Sequence, residues 1–290
     1  MTKFFYNKQM KRSLIFGFIT ILLWGSLATF SNLLIHLPPF YTLGVSFIIG
    51  ALLSLRNARE MFPSFKLLLF GTAGYFGYHF FLFYAFRFAP AIEANLINYL
   101  WPVFMVMLTP MFEKKTGLSW YHYTGAVLSI IGSVFLVSGA PAESTSGEEW
   151  KGYLLAFLAA LTWPLYSLGR KKLPVTSVWS IGGFCLTSGV LCLFTHALIE
   201  PSVTLTTPDL LKLVFMGLGP FGLAFYFWDA ATRTGDSRIL GALAYLTPVI
   251  STLGLVIFAG KNFTWSSFLA MFLITGGASL GLLDFRGRKQ

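Results

Sequence analysis

The chain has 290 residues, of which 56% are hydrophobic and only 11% charged. Soluble domains carry about 25% charged residues, so the pair of soluble domains that length alone would suggest is excluded. A formal charge of +10 then has to be placed around a membrane before nucleic acid is invoked.

A helix needs about 20 apolar residues to cross a hydrocarbon core ~30 Å thick, and ten stretches reach roughly that length. The first, Ser13–Ile35, follows "KFFYNKQMKR". That prefix is basic like the start of a signal peptide, but the apolar run is too long and has no clear small-x-small cleavage site, so it reads as an anchor. Pro38–Leu55 and Leu67–Phe88 come next, the latter with Gly71, Gly74 and Gly77 every three residues on a face suited to close helix packing. Ile92–Phe112 contains "NYLWPV", Asn98 to Val103, and Tyr121–Ala140 closes the first half. A short acidic joint, "PAESTSGEEWK", runs from Pro141 to Lys151. Gly152–Leu168 carries Trp163 and Tyr166, with Pro164 predicting a break. Ser177–Ile199 holds Cys185 and Cys192, which read as buried thiols. In Leu211–Ala231, Phe225, Tyr226 and Trp228 crowd behind "GLGPFG". Ser237–Gly260 contains "AYLTPV", and Trp265–Leu283 is the last stretch.

Loop charge orients these stretches. With the N-terminus in the cytoplasm, seventeen of the 21 Lys and Arg residues fall inside, and Arg87, Lys151, Lys212 and Lys261 fall outside. Nine or eleven spans would scramble that split, so the positive-inside rule supports ten, with both termini cytoplasmic. The basic collar also suits anionic lipid headgroups, and no nucleic acid partner is needed.

The two halves resemble each other. "NYLWPV" recurs 146 residues later as "AYLTPV". Trp120 aligns with Trp265, and "LLWGSLATFSNLL" weakly matches "LTWPLYSLGRKKL", with Trp24 over Trp163. Five spans per half is an odd number, so the second half enters the membrane inverted, a construction many secondary transporters share. The expected fold is all-α and polytopic: one five-helix repeat over residues 1–140, an external loop over 141–151, and a second repeat over 152–290.

Pro102 and Pro248 lie near the middle of their spans, and each frees the carbonyl four residues earlier. A free carbonyl in lipid is costly, so it should face protein or a wet cavity. A single such proline could be a packing kink. A matched pair beside Asn98, Tyr99 and Trp101 points to hinges around a midplane site. Tyr78 and His79 sit at the same depth in the third span. His79 is either a neutral imidazole bonded to a tyrosine hydroxyl or backbone carbonyl, or a cavity residue that binds substrate or carries a proton. Asp229 and Arg233 read as an i,i+4 pair, and Glu93 as a helix cap or a partner of Arg87. No H-E-x-x-H, G-x-S-x-G or paired carboxylate lies at membrane depth, and His36, His79, His122 and His196 have no ligand spacing. An intramembrane enzyme is therefore the weaker reading, and no metal or cofactor is expected.

The block "IEANLINYLWPVF" resembles the fourth-helix motif of EamA-type members of the drug/metabolite transporter superfamily, and within them the YddG-type aromatic amino acid exporters. "LTWPLYSLGRKK", "FYFWDAATRTGD" and "LAYLTPVIST" are similar to sixth-, eighth- and ninth-helix patterns of that family. The resemblance covers nearly the whole chain. It implies a bacterial inner-membrane transporter that exports aromatic and other neutral amino acids and binds substrate at Tyr78, His79, Tyr99, Trp101 and Trp163. Asn98 joins that set from helix geometry. Inverted repeats can work as monomers, so a monomer is the expected unit, although sequence leaves the oligomeric state open. Lys261 stands where the family often has Glu, and Thr247 stands opposite Trp101, so the cavity should be asymmetric and the substrate range can differ. Efflux of drugs, nucleosides or other metabolites is the alternative.

Overall fold

The computed structural model describes residues 2–89, 91–113, 117–137, 147–174, 177–260 and 265–287. All regular structure among them is helical. The Pro141–Lys151 joint is described only from Gly147 onward, and Lys261 and the side chain of Glu93 also fall outside the described set.

In chain order the helices are α1 (Thr2–Gly25), α2 (Leu27–Leu33), α3 (Pro39–Ala51), α4 (Ala58–Met61), α5 (Phe65–Ala85), α6 (Ala91–Asn98), α7 (Trp101–Phe112) and α8 (Trp120–Val137). They continue as α9 (Glu149–Arg170), α10 (Ser180–Ile199), α11 (Thr207–Leu218), α12 (Ala224–Thr234), α13 (Ser237–Ala244), α14 (Leu246–Ala259) and α15 (Trp265–Gly287). Among the described residues seven helical stretches are long and apolar enough to cross a membrane. Phe215, Leu198, Ile257 and Phe272 remain 65% to 68% exposed. Such a belt of bare apolar side chains suits lipid rather than water.

Local chemistry explains where the helices start. Pro39 opens α3, where a missing N–H costs nothing. Across the bundle Glu200 accepts the free N–H groups of Phe40 (3.0 and 3.1 Å) and Tyr41 (3.2 Å). Thr206 and Asp209 form a reciprocal capping box at α11. The Asp236 carboxylate accepts from the backbone N–H of Arg238 (2.9 Å) and caps α13.

The breaks differ in detail from the proline-based expectation. In the fourth span the helix stops at Asn98 and restarts at Trp101, so Pro102 sits in the first turn of α7. Pro248 likewise lies in the first turn of α14, just after a break at Tyr245. Both prolines begin a helix that they could not have continued. Pro164 makes no break: α9 runs through it from Glu149 to Arg170. The eighth span is interrupted instead by a π turn over Gly219–Leu223.

Helix packing repeats in pairs. α5 lies along α9, and α1 lies along α12; α7 meets α9 and α13, and α1 meets α14; α3 lies on α10, and α8 on α15. α3 approaches the π turn closely. A Cβ on Gly50 would lie 2.5 Å from the Phe221 carbonyl oxygen and 2.9 Å from its carbon. Backbone cannot yield as a side-chain tip can, so Gly50→Val should lower stability by about 1–3 kcal/mol through overpacking. The check is a thermal melt of purified protein in detergent, and an unchanged melting temperature would contradict this account of the contact.

Candidate functional site

A cavity of about 280 Å³ opens among α1, α2, α5, α6, α7, α9, α14 and the π turn. All six residues expected to bind substrate line it: Tyr78, His79, Asn98, Tyr99, Trp101 and Trp163. Two places in the first half and one in the second supply them. α5 supplies Tyr78 and His79, the α6–α7 break supplies Asn98, Tyr99 and Trp101, and α9 supplies Trp163. The expected hinges Pro102 and Pro248 are buried in α7 and α14 beside the two breaks and are not part of the lining.

One part of the wall is aromatic. Trp24 meets Trp163 edge to face with ring centroids 5.4 Å apart, Trp101 at 6.0 Å and Phe225 at 5.9 Å. Below them Trp228 packs against Trp24 at 5.1 Å and donates its indole N–H to the Ser167 hydroxyl at 3.0 Å. Tyr75, fully buried, lies 4.4 Å from Phe225 and 5.6 Å from Trp163. Edge-to-face ring pairs contribute about 0.5–1.5 kcal/mol each beyond area burial, so this cluster is a stiff floor.

Another part is polar. Asn98 donates from Nδ2 to the Tyr78 hydroxyl at 3.2 Å. His79 is bonded through Nδ1 to the backbone carbonyl of Tyr75 at 2.7 Å. A carbonyl only accepts, so Nδ1 carries the hydrogen and Nε2 is the nitrogen left for other chemistry. The two readings of His79 are thus compatible: it is held by a backbone carbonyl and it lines the cavity. Ser31, Asn95, Thr247 and Ser251 complete the polar lining. Among the described residues the lining contains no Asp, Glu, Lys or Arg.

Sequence reasoning did not select Trp24, Phe221 or Phe225 for the site. Trp24 carried a signal, since it aligns with Trp163 across the repeat; the phenylalanines, among 31 in the chain, carried none. Beyond the floor, at the end of the bundle rich in Arg and Lys, two ion networks tie helices together. Asp229 pairs with Arg233 of its own helix at 2.6 Å, as its spacing suggested, and with Arg170 of α9 at 3.4 Å. Lys171 donates to Glu113 at 2.6 Å, to the Gly235 carbonyl at 2.7 Å and to Ser237 at 3.2 Å. Among the described residues no group of three His, Cys, Asp or Glu could hold a metal ion.

The description of an EamA-like transporter family matches residues 11–138 and again 150–283. An aromatic amino acid exporter YddG of Ancylobacter novellus is 34% identical over 278 residues, which covers 92% of this chain and 96% of that one. An exporter of the same name from Escherichia coli (strain K12) is 24% identical over 78% of this chain and 75% of its own. A solved crystal structure of a protein 35% identical in sequence superposes with a TM-score of 0.88, covering 96% of this chain and 99% of the other.

Proposed function

We propose that this chain, which belongs to the EamA-like transporter family, exports aromatic and other neutral amino acids across a bacterial inner membrane. It is a multi-pass membrane protein of a transporter family, and two relatives similar to it are named aromatic amino acid exporters. Export of amino acids by this chain is supported by one observation, the convergence of Tyr78, His79, Asn98, Tyr99, Trp101 and Trp163 on one cavity. Ligand pockets for drug-sized molecules run to about 300–1,000 Å³. A cavity of about 280 Å³ suits one small solute better than a bulky drug. Its walls offer ring stacking and cation–π contact to an ammonium group, about 0.5–2 kcal/mol each. Asn98, the tyrosine hydroxyls and the indoles replace part of the hydration that the solute loses.

The architecture we propose is ten spans in two inverted repeats, 1–140 and 152–290, joined by an external loop over 141–151, with both termini cytoplasmic. Two matches to one family description support the division. The paired packing also supports it, because exchanging each span with its counterpart turns α5 on α9 into α12 on α1. Alternating access then proceeds by rocking at the breaks beside Pro102 and Pro248, which bound the cavity on α7 and α14. The working unit is a monomer, its substrate an amino acid and its solvent the lipid bilayer. No cofactor, metal or nucleic acid takes part, and the protein is a transporter rather than an enzyme.

Counterflow in proteoliposomes tests this. Vesicles loaded with unlabelled amino acids should take up labelled Phe, Met and Thr. With no carboxylate among the described lining residues, collapsing the proton gradient should leave the rate unchanged. Absence of uptake by folded protein would move the function to efflux of another metabolite. Strict dependence on the gradient would sink the facilitator mechanism.

A further inference from the structure

An amino acid in this cavity carries a carboxylate, and the described lining holds no cation to meet it. Taking an ionised carboxylate out of water without a partner is costly. Arg87 follows the lining residue Phe86 but is exposed; the buried cation nearest the lining along the chain lies on a helix that builds the floor. α9 brings Trp163 into the cavity and Arg170 seven residues further on, about 10 Å along the axis at 1.5 Å per residue. α12 brings Phe225 into the cavity and Asp229 one turn further on. Tyr166 and Trp228 occupy the intermediate levels.

Arg170 is an unusual residue for that level. Its side chain is 2% exposed and that of Asp229 1%, so both charges are withdrawn from water. A buried pair offsets its desolvation only with good geometry. Here the link between helices, Arg170 Nε to Asp229 Oδ1, is 3.4 Å long, while Arg233 holds the other oxygen at 2.6 Å from within α12. If α9 and α12 part, Asp229 keeps Arg233 as its counter-ion, whereas Arg170 keeps its bond to the Pro174 carbonyl (3.4 Å) but loses its link to Asp229. In the present conformation Arg170 is shut off from the basic end by its neighbour Lys171, which fastens α9 to Glu113 of α7 and to Gly235 and Ser237 at the start of α13.

We propose that Arg170 is a loading subsite for the carboxylate of the transported amino acid. When the basic end opens, the guanidinium exchanges Asp229 for the incoming carboxylate and holds it while the side chain enters the aromatic cavity. Arginine suits the exchange because its planar fork grips a carboxylate with two parallel bonds. The subsite also explains how a cavity without charges selects acids: an amine of the same shape finds no partner at Arg170. This inference rests on the reading of the cavity as an amino acid site and of the basic end as cytoplasmic.

The test is transport by the full chain in oriented proteoliposomes, started from either face, with phenylalanine and with phenethylamine, its counterpart lacking the carboxylate, as competitor. Arg170→Gln should raise the KM for phenylalanine at the basic face about tenfold or more, change it far less at the opposite face, and abolish the preference over phenethylamine. Lys172→Gln, which removes an exposed cation at the same end, should leave all three unchanged. If Arg170→Gln does not fold, Arg170→Lys keeps the charge without the fork and should raise the same KM with its maximal rate retained. Unchanged KM and preference in a folded Arg170 variant, or equal shifts at both faces and in Lys172→Gln, overturn the subsite. Amino acid transport by the wild type in those same experiments leaves the broader reading standing; its absence removes both.

Discussion

Trp163→Ala is expected to abolish amino acid counterflow and to lower stability by about 3–5 kcal/mol, the usual cost of emptying a large aromatic site in a packed core. Trp163 is 3% exposed and touches five other rings: Trp24, Tyr75, Tyr78, Tyr166 and Phe225, at centroid distances of 5.3 to 5.7 Å. It therefore holds the floor and faces the substrate at once, and alanine removes both functions. Trp163→Phe separates them. Phenylalanine keeps most of the ring contacts, so the melting temperature should fall only slightly. The indole N–H and part of the stacking face are lost, so the KM for aromatic substrates should rise several-fold. Melts in detergent and counterflow on the same preparations check both arms. Normal transport by Trp163→Ala would show that the cavity is not the route.

The legible and the hidden parts of this site differ for physical reasons. Tyr78, His79, Asn98, Tyr99, Trp101 and Trp163 could be found because a polar atom at mid-membrane needs a partner wherever the chain places it. Phe221 and Phe225 carry no such demand, and their part in the wall depends on which way the π turn faces. That turn was not foreseen: Phe221 within it packs against Gly50, a contact between distant parts of the chain. Prolines marked the right spans but not the right peptide. Pro102 and Pro248 start helices rather than interrupting them, and α9 absorbs Pro164 without stopping. Arg170 shows the limit most clearly. Loop charge groups it with its neighbour Lys172, which is exposed. Its burial against Asp229, 59 residues away in sequence, is set by tertiary packing alone.

Asp229→Ala is expected to cost about 3–5 kcal/mol, among the largest losses for any single substitution in the chain, because it takes the carboxylate away from two arginines at a level shielded from water. Arg170 is 2% exposed and Arg233 19%, and the carboxylate between them is the partner that their ion pairs share. Once it is gone, each guanidinium must find other acceptors, draw water into the bundle, or part α9 from α12. Asp229→Asn keeps the shape and removes the charge, so it should cost nearly as much; a loss from Ala alone would point to packing instead. The double variant Asp229→Asn with Arg170→Gln should recover part of the loss, since it removes the more buried charge together with its partner. A coupling of about 1–3 kcal/mol between the two sites is the expected result of the cycle. Chemical or thermal denaturation in detergent measures all three. If Asp229→Ala costs less than about 1 kcal/mol, the network behaves like an exposed ion pair. Water then reaches it in the resting conformation, and the basic end is not sealed as the Lys171 contacts to Glu113, Gly235 and Ser237 imply.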